Sequence, residues 1–334
     1  MESILITGGA GFIGSALVRL LLKKTRAHLL VADKLTYAGK PSNLPESSRI
    51  TLAVADVCSR EKMAALFRRF RPKLVFHLAA ESHVDRSIAS GTAFARTNVL
   101  GTAVLLECAR QSWKKEAGVF VQVSTDEVYG SLPLAGGAFT EHSPLAPRSP
   151  YAAAKAGADL LALSYHATHG MDVRVTRCSN NYGPRQHGEK FLPTVTAALF
   201  AGQPAPVYGD GQNVRDWIFV EDHCTALWAA AQKGAPGQVY NIGARNEKSN
   251  LAMVEAVRQT LVLLGEHPPA PGECVRLVQD RLGHDRRYAI DPSRAGRELG
   301  FCAQTPFEEG LKRTVAWEIK RLKGEREKQK PDAL

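Results

Sequence analysis

Cysteine is scarce and never clustered: the six residues Cys58, Cys108, Cys178, Cys224, Cys274 and Cys302 stand far apart, with no C-x-x-C pair. That spacing argues against a zinc site and against a disulfide framework, so no metal is expected. Cys178 and Cys224 read as small core residues, and the chain as a protein of the reducing cytoplasm. No apolar run approaches the roughly 20 residues needed to cross a bilayer, so no membrane association is expected. "MESILITGGAGFIG" enters a strand and a glycine turn at once, with no basic leader or cleavage site, and no export signal is expected. A net charge of +10 raises nucleic acid as a partner. Yet the basic excess is spread thinly, and part of it sits in the mixed-sign tail "KRLKGEREKQKPDAL", which reads as a fraying, solvated helix end. With no zinc-finger or RNA-recognition signature and no basic stretches interleaved with aromatics, no nucleic-acid partner is expected. A positive field that gathers an anionic small substrate fits better.

At 334 residues, 44% hydrophobic and 23% charged, the chain has room for a sizeable core in one large domain or two unequal lobes. Short apolar runs, "SILITG", "AHLLVAD", "ITLAVAD", "KLVFHLAA", "VFVQVS" and "DVRVTRCS", alternate with the helical patterns "IGSALVRLLLKK", "REKMAALFRRF", "NVLGTAVLLECARQ" and "PYAAAKAGADLLALSYHATHG". This alternation predicts βαβ units in an α/β, doubly wound Rossmann-type parallel sheet. Ligands of such sheets sit beyond the carboxyl ends of the strands. Past Asn180 prolines and glycines become frequent, which predicts a smaller, loop-rich C-terminal substrate-binding lobe. The expected division is 1–180 for the dinucleotide domain, with later segments returning to it, and 181–330 mainly for the lobe.

"TGGAGFIGS" sets Gly8, Gly11 and Gly14 between the first strand and the first helix. Glycines there permit a tight turn, close backbone approach to a pyrophosphate, and close helix–strand packing. Asp33 closes the second strand, nineteen residues past Gly14. Its carboxylate can accept both adenosine ribose hydroxyls and repels a 2′-phosphate, which favours NAD over NADP even with Lys34 beside it. Asp56, ending "LAVAD", is placed to meet the adenine edge.

In "SPYAAAKAGADLLAL", Ser149 reads as an N-cap and Pro150 as the first helical residue. Tyr151 and Lys155 then share one helix face. An ammonium there is expected to lower the phenol's pKa, poising Tyr151 to take a proton from an alcohol as hydride leaves its carbon. The fifth strand run ends in "STDEVYG", with Thr125 ahead of Asp126 and Glu127. Two adjacent carboxyls at a strand end suit either a surface turn or an acid–base pair.

These marks resemble those of the extended short-chain dehydrogenase/reductase superfamily. The narrower resemblance, nearly end to end, is to dTDP-glucose 4,6-dehydratases, carried by "DKLTYAG", "HLAAESHVDRSI", "STDEVYG", "NNYGPRQHGEKFLP", "VYGDGQNVRDWIFVEDH", "NIGARNEKSN" and "DRLGHDRRYAID". The resemblance implies oxidation at C4 of a nucleotide hexose, loss of water across C5 and C6, and return of hydride to C6 with NAD regenerated. The elimination needs one deprotonated and one protonated group, which two carboxyls with separated pKa values provide.

By position, the resemblance implies Asp126 as acid, Glu127 as base, Thr125 as the group polarising the C4 oxygen, and Tyr151 with Lys155 for the oxidation. It implies a cofactor site of Gly8, Gly11, Phe12, Ile13, Gly14, Asp33, Lys34 and Thr36. Asp56, Val57, Leu78, Ala79, Ala80, Thr97, Cys178 and Asn180 complete it, with Tyr151 and Lys155. The diphosphate should meet Asn180 or Asn181, Lys190, Arg215, Asn250, Arg281 and His284. Pro206 and Tyr208 should flank the base, with Phe191 nearby and Ser82 and Asp85 near the hexose. His83, His142 and His187 receive no role. Two departures concern the base: the loop 131–149 is shorter than in many bacterial members, and Ala198 stands where many carry an asparagine. UDP- or CDP-glucose therefore stays beside dTDP-glucose as substrate. A nucleotide-sugar epimerase or decarboxylase, and a silent NAD-sensing protein, are the rival readings. The resemblance also implies a homodimer, packed through helices 98–111 and 151–169.

Overall fold

The structure, a computed structural model, describes residues 2–114 and 117–328. Six strands, β1 (Ser3–Thr7), β2 (His28–Asp33), β3 (Ile50–Val54), β4 (Leu74–His77), β5 (Val119–Thr125) and β6 (Asp172–Cys178), alternate with helices as the apolar runs predict. Farther along come β7 (Asn180–Tyr182), β8 (Ala205–Tyr208), β9 (Val214–Phe219), β10 (Val239–Ile242), β11 (Glu247–Ser249) and β12 (Val275–Val278). The central sheet runs β3-β2-β1-β4-β5-β6-β10, parallel throughout. Its order reverses between β1 and β4, which opens a crevice beyond their carboxyl ends.

Both faces of this sheet are covered. On one lie helices Arg60–Phe70, Gly101–Ser112 and Pro150–His169, closing a core of Leu5, Val75, Leu105, Phe120 and Val173. On the other, helices Phe12–Lys24 and Val220–Lys233 close over Ile6, Leu17, Val31, Phe76 and Val121. Strands buried on both faces explain the unbroken apolar runs. A separate core of Leu192, Val195, Trp217, Phe219, Met253 and Val315 holds the C-terminal part together. There β11-β9-β7 and β12-β8 form two small sheets beside helices Phe191–Phe200, Asn250–Leu263 and Phe307–Lys328.

Position 180 divides the chain more sharply than it divides the molecule. β10 is a strand of the central sheet, and helix Val220–Lys233 packs on one of its faces. The basic tail is helical to Lys328, and the rest of it, 329–334, lies outside the described residues. The helix expected at 98–111 is preceded by a π-helical turn, Ala95–Leu100, which the apolar periodicity does not signal.

Candidate active site

A cleft of about 340 Å³ opens at the reversal point between β1 and β4. All eighteen residues expected around the dinucleotide line it, from Gly8 to Asn180. Gly8 has φ +67°, and a Cβ there would lie 2.8 Å from the Ala79 backbone. A Cβ on Gly14 would lie 2.3 Å from the Gly8 carbonyl oxygen, so packing alone demands glycine at both positions. Gly11 differs, because a Cβ there meets only the Gly8 oxygen, at 3.2 Å. Its bareness keeps open the cleft side of the turn, where helix Phe12–Lys24 presents its N-terminus.

Asp33 is fixed by backbone donors: Ala10 N–H to Oδ2 at 2.9 Å and Leu35 N–H to Oδ1 at 2.8 Å. Each oxygen keeps a lone pair for a further donor. The Lys34 ammonium turns to Asp56, 3.4 Å away, so it does not offset the Asp33 charge. These groups fit NAD: a bare turn at a helix N-terminus for the pyrophosphate and a fixed carboxylate for the ribose.

The other end of the cleft holds the acids. β5 stops at Thr125, whose hydroxyl accepts from the Glu127 N–H at 3.3 Å and so caps a short 3₁₀ turn, Asp126–Tyr129. The same hydroxyl donates to Asp126 Oδ1 at 3.3 Å. Asp126 is 1% exposed, and its Oδ2 is buried without a hydrogen-bond partner. Burial pushes its carboxyl well above the usual range, with Glu127 and Asp216 adding to the push. Glu127 is raised by burial too, but the charges of Arg215, Lys190 and Arg281 pull it back. The arrangement favours a proton on Asp126 and a charge on Glu127. A carboxyl this deeply buried with an unpartnered oxygen, next to a second acid, is not what a surface turn carries.

Tyr151 overturns one expectation. Its phenol lies well above its ordinary value, raised by burial and then by Glu127, Cys178 and Asp126, while the Thr125 hydroxyl beside it acts the other way. The Lys155 ammonium donates to Val123 O at 2.6 Å and is itself lowered by burial. Reading the Tyr–Lys spacing alone left out the two carboxyls that face the ring from the next strand end. Ser149 and Pro150 begin this helix as expected, with Ser149 Oγ accepting from Ala152 N–H at 3.1 Å.

Of the expected sugar-nucleotide residues, Ser82, Thr125, Asn181 and Lys190 line the cleft, and Lys190 donates to Ser82 O at 2.8 Å. Arg281 grips Asp85 with two bonds, at 2.5 and 3.0 Å, and lies over the Tyr208 ring. Tyr208 also donates to Asp85, and His284 meets its ring edge-on. Arg215 is buried, with its guanidinium over Tyr288 and one bond to Asp285 O at 2.9 Å. Pro206 lies on β8, Phe191 packs near Trp217, and Asn250 is buried at the start of its helix. None of these three lines the cleft.

Sequence reading missed a cluster drawn from three distant segments. Tyr37 lies beneath the Arg86 guanidinium and edge-on to His187, and Arg86 pairs with Glu189 at 3.2 Å. Tyr37, His187 and Glu189 line the cleft. No local spacing links these positions, so no sequence signal marks them.

The family described as GDP-mannose 4,6 dehydratase matches residues 5–314. The dTDP-glucose 4,6-dehydratase of Neisseria gonorrhoeae is 46% identical over 329 residues, 95% of each chain. The chain belongs to the dTDP-glucose 4,6-dehydratase family. Among solved structures, a dTDP-glucose 4,6-dehydratase from Streptomyces venezuelae with NAD bound is 44% identical, with a TM-score of 0.89 over 97% of this chain and 98% of that one. A UDP-glucose 4-epimerase from Thermotoga maritima reaches a TM-score of 0.86 at 30% identity, over 96% of this chain and 100% of that one. This dehydratase family thus shares its backbone with epimerases, so the backbone alone does not separate the two reactions.

Proposed function

We propose that this protein is an NAD-dependent nucleotide-sugar 4,6-dehydratase that converts dTDP-glucose to dTDP-4-keto-6-deoxyglucose and water. The Asp126–Glu127 pair, the first carboxyl buried and the second half-buried, with its pKa values pushed apart beside Tyr151 and Lys155, carries the reading. NAD, which the glycine turn and Asp33 would hold in the cleft, would supply the hydride acceptor for C4 and the hydride donor for C6. Tyr151 can take the C4 hydroxyl proton only after its own proton is lost, with Thr125 polarising the oxygen. The Lys155 ammonium and the positive charge of an oxidised nicotinamide would favour that loss against the burial that raises the phenol. The new ketone acidifies the C5 proton, which Glu127 removes. Asp126 gives its proton to the departing 6-hydroxyl, water leaves, and as hydride reaches C6 Glu127 returns a solvent-exchanged proton to C5. Epimerisation and decarboxylation expel no hydroxyl and give a protonated Asp126 nothing to do. A silent NAD sensor has no use for either acid.

Residues Asn181, Lys190, Arg215, Asn250, Arg281 and His284 hold the diphosphate in this reading, and Pro206 and Tyr208 the base, so residues 181–330 form mainly the substrate lobe. The bidentate Asp85–Arg281 pair supports it, since a guanidinium that grips a carboxylate this way is apt for a diphosphate. The six free thiols support a reducing, cytoplasmic setting. No helix among the described residues is long and apolar enough to cross a membrane. Exposed Leu100 and Leu160 support a homodimer packed through helices 98–111 and 151–169.

A competition in deuterated water tests the reaction. Protein without added cofactor receives equal dTDP-, UDP- and CDP-glucose, and mass spectrometry follows each. Loss of one water from dTDP-glucose, with solvent deuterium gained at C5, is the expected result. Preference for another donor corrects the base. No loss of water from any donor after NAD is supplied overturns the dehydratase.

A further inference from the structure

Beneath helix Pro150–His169 lies a charged pair that the reaction scheme leaves unused. Asp159 follows Lys155 by one helical turn and is fully buried. Its Oδ2 accepts from Arg177 Nε at 3.0 Å, and its Oδ1 is buried without a hydrogen-bond partner. Arg177, on β6 and 3% exposed, also donates to the Tyr129 hydroxyl at 3.0 Å. Tyr129 in turn donates to Asn241 Oδ1 at 2.7 Å, and Asn241 is anchored by Phe139 O and Glu141. The carboxylate is therefore held by a guanidinium that is itself fixed through Tyr129 and Asn241.

Lys155 needs such a partner. It is 5% exposed, and its one described bond is to a neutral carbonyl, Val123 O. A buried ammonium without a counter-charge is disfavoured by several kcal/mol and sheds its proton instead. The titratable groups acting on it are Asp159 on its own helix, Cys178 on β6 and His77 on β4, with Tyr151 one helical turn before it and Arg177 beyond Asp159. Cys178 is raised to about 12 and His77 lowered to about 3, so neither supplies charge near neutrality. Burial raises the Asp159 carboxyl as well, but Arg177 and Lys155 pull it back, so Asp159 is the one group of this set placed to carry an anion.

We propose that Asp159, locked by Arg177, is a positioning residue that keeps Lys155 protonated beneath Tyr151 during the oxidation step. The proposal rests on the dehydratase reading above. A merely structural ion pair has a different signature: replacing both charges with neutral groups of similar size leaves function intact.

Three variants separate the two: Asp159→Asn, Asp159→Glu and the double Asp159→Asn/Arg177→Met. The double variant leaves no unpaired buried arginine and so protects folding. The readouts are the pH profile of bound-nicotinamide reduction by dTDP-glucose and the affinity for dTDP. Without the carboxylate, Lys155 loses its proton at lower pH, so the alkaline limb moves down by about one pH unit or more in both Asn variants. Asp159→Glu restores it in part, and dTDP affinity stays within about twofold, a change well under 1 kcal/mol. A folded double variant with the wild-type limb overturns the proposal. The 15N resonance of Lys155 Nζ, titrated without substrate, reports the same shift independently. It tests the pair even where wild-type protein reduces no NAD with any donor, a result that counts against the dehydratase reading instead.

Discussion

Asp126 and Glu127 show at single-residue scale how burial turns like groups into unlike ones. Asp126→Asn keeps the shape of the site but removes the transferable proton. Water loss should fall by about 10²–10⁴-fold while C4 oxidation continues, so NADH should accumulate with substrate bound. Absence of that absorbance counts against the division of labour. The same variant has a stability consequence. The folded-state pKa of Asp126 is raised, so the wild-type site is at no disadvantage below the unfolded value and loses stability as pH rises through the folded one. The thermal midpoint of Asp126→Asn should therefore exceed wild type by a margin that widens as pH rises above the ordinary aspartate range. Water loss should have an acid limb above the ordinary glutamate range, because burial raises Glu127. Asp33 permits a cleaner test. Denatured protein should release NAD rather than NADP, and Asp33→Ser should shift preference toward NADP by about tenfold or more, on the order of 1.4 kcal/mol.

Secondary-structure elements place these residues through their ends. β5 stops where Thr125 caps the turn that carries both acids, and the helix of Tyr151 and Lys155 starts at a serine cap followed by proline. Ser149→Ala should cost about 1 kcal/mol of stability in denaturant melts and loosen Tyr151 along with its helix. The glycine turn separates packing from binding. Gly14→Ala, with a Cβ against the Gly8 oxygen, should destabilise the fold measurably. Gly11→Ala should leave thermal stability nearly unchanged and weaken NAD retention on dialysis. Strand ends, the two helix starts and the glycine roles were legible because each depends on a few consecutive residues. The π-helical turn at Ala95–Leu100 was not, since local composition there suits an ordinary helix.

Across the whole molecule, the open question of assembly reduces to two helices. Their exposed Leu100 and Leu160 predict that Leu100→Asp with Leu160→Arg converts a dimer to a monomer in sedimentation velocity, without loss of the folded far-ultraviolet signal. Sequence by itself determined the parallel α/β order and the glycine turn with Asp33, because periodicity, capping and motif spacing are local properties, while the proposed catalytic set Thr125, Asp126, Glu127, Tyr151 and Lys155 came from the family resemblance rather than from spacing alone. Only the tertiary structure decided what those groups feel. It turned Lys34 toward Asp56, joined Arg281 to Asp85, and gathered Tyr37, Arg86, His187 and Glu189 from distant segments. It also reversed the expected shift of Tyr151, and buried Asp159 and Arg177 below Lys155. The reason is physical: charge interactions and desolvation act through space at a few ångströms, and chain neighbours supply only part of what surrounds a buried group.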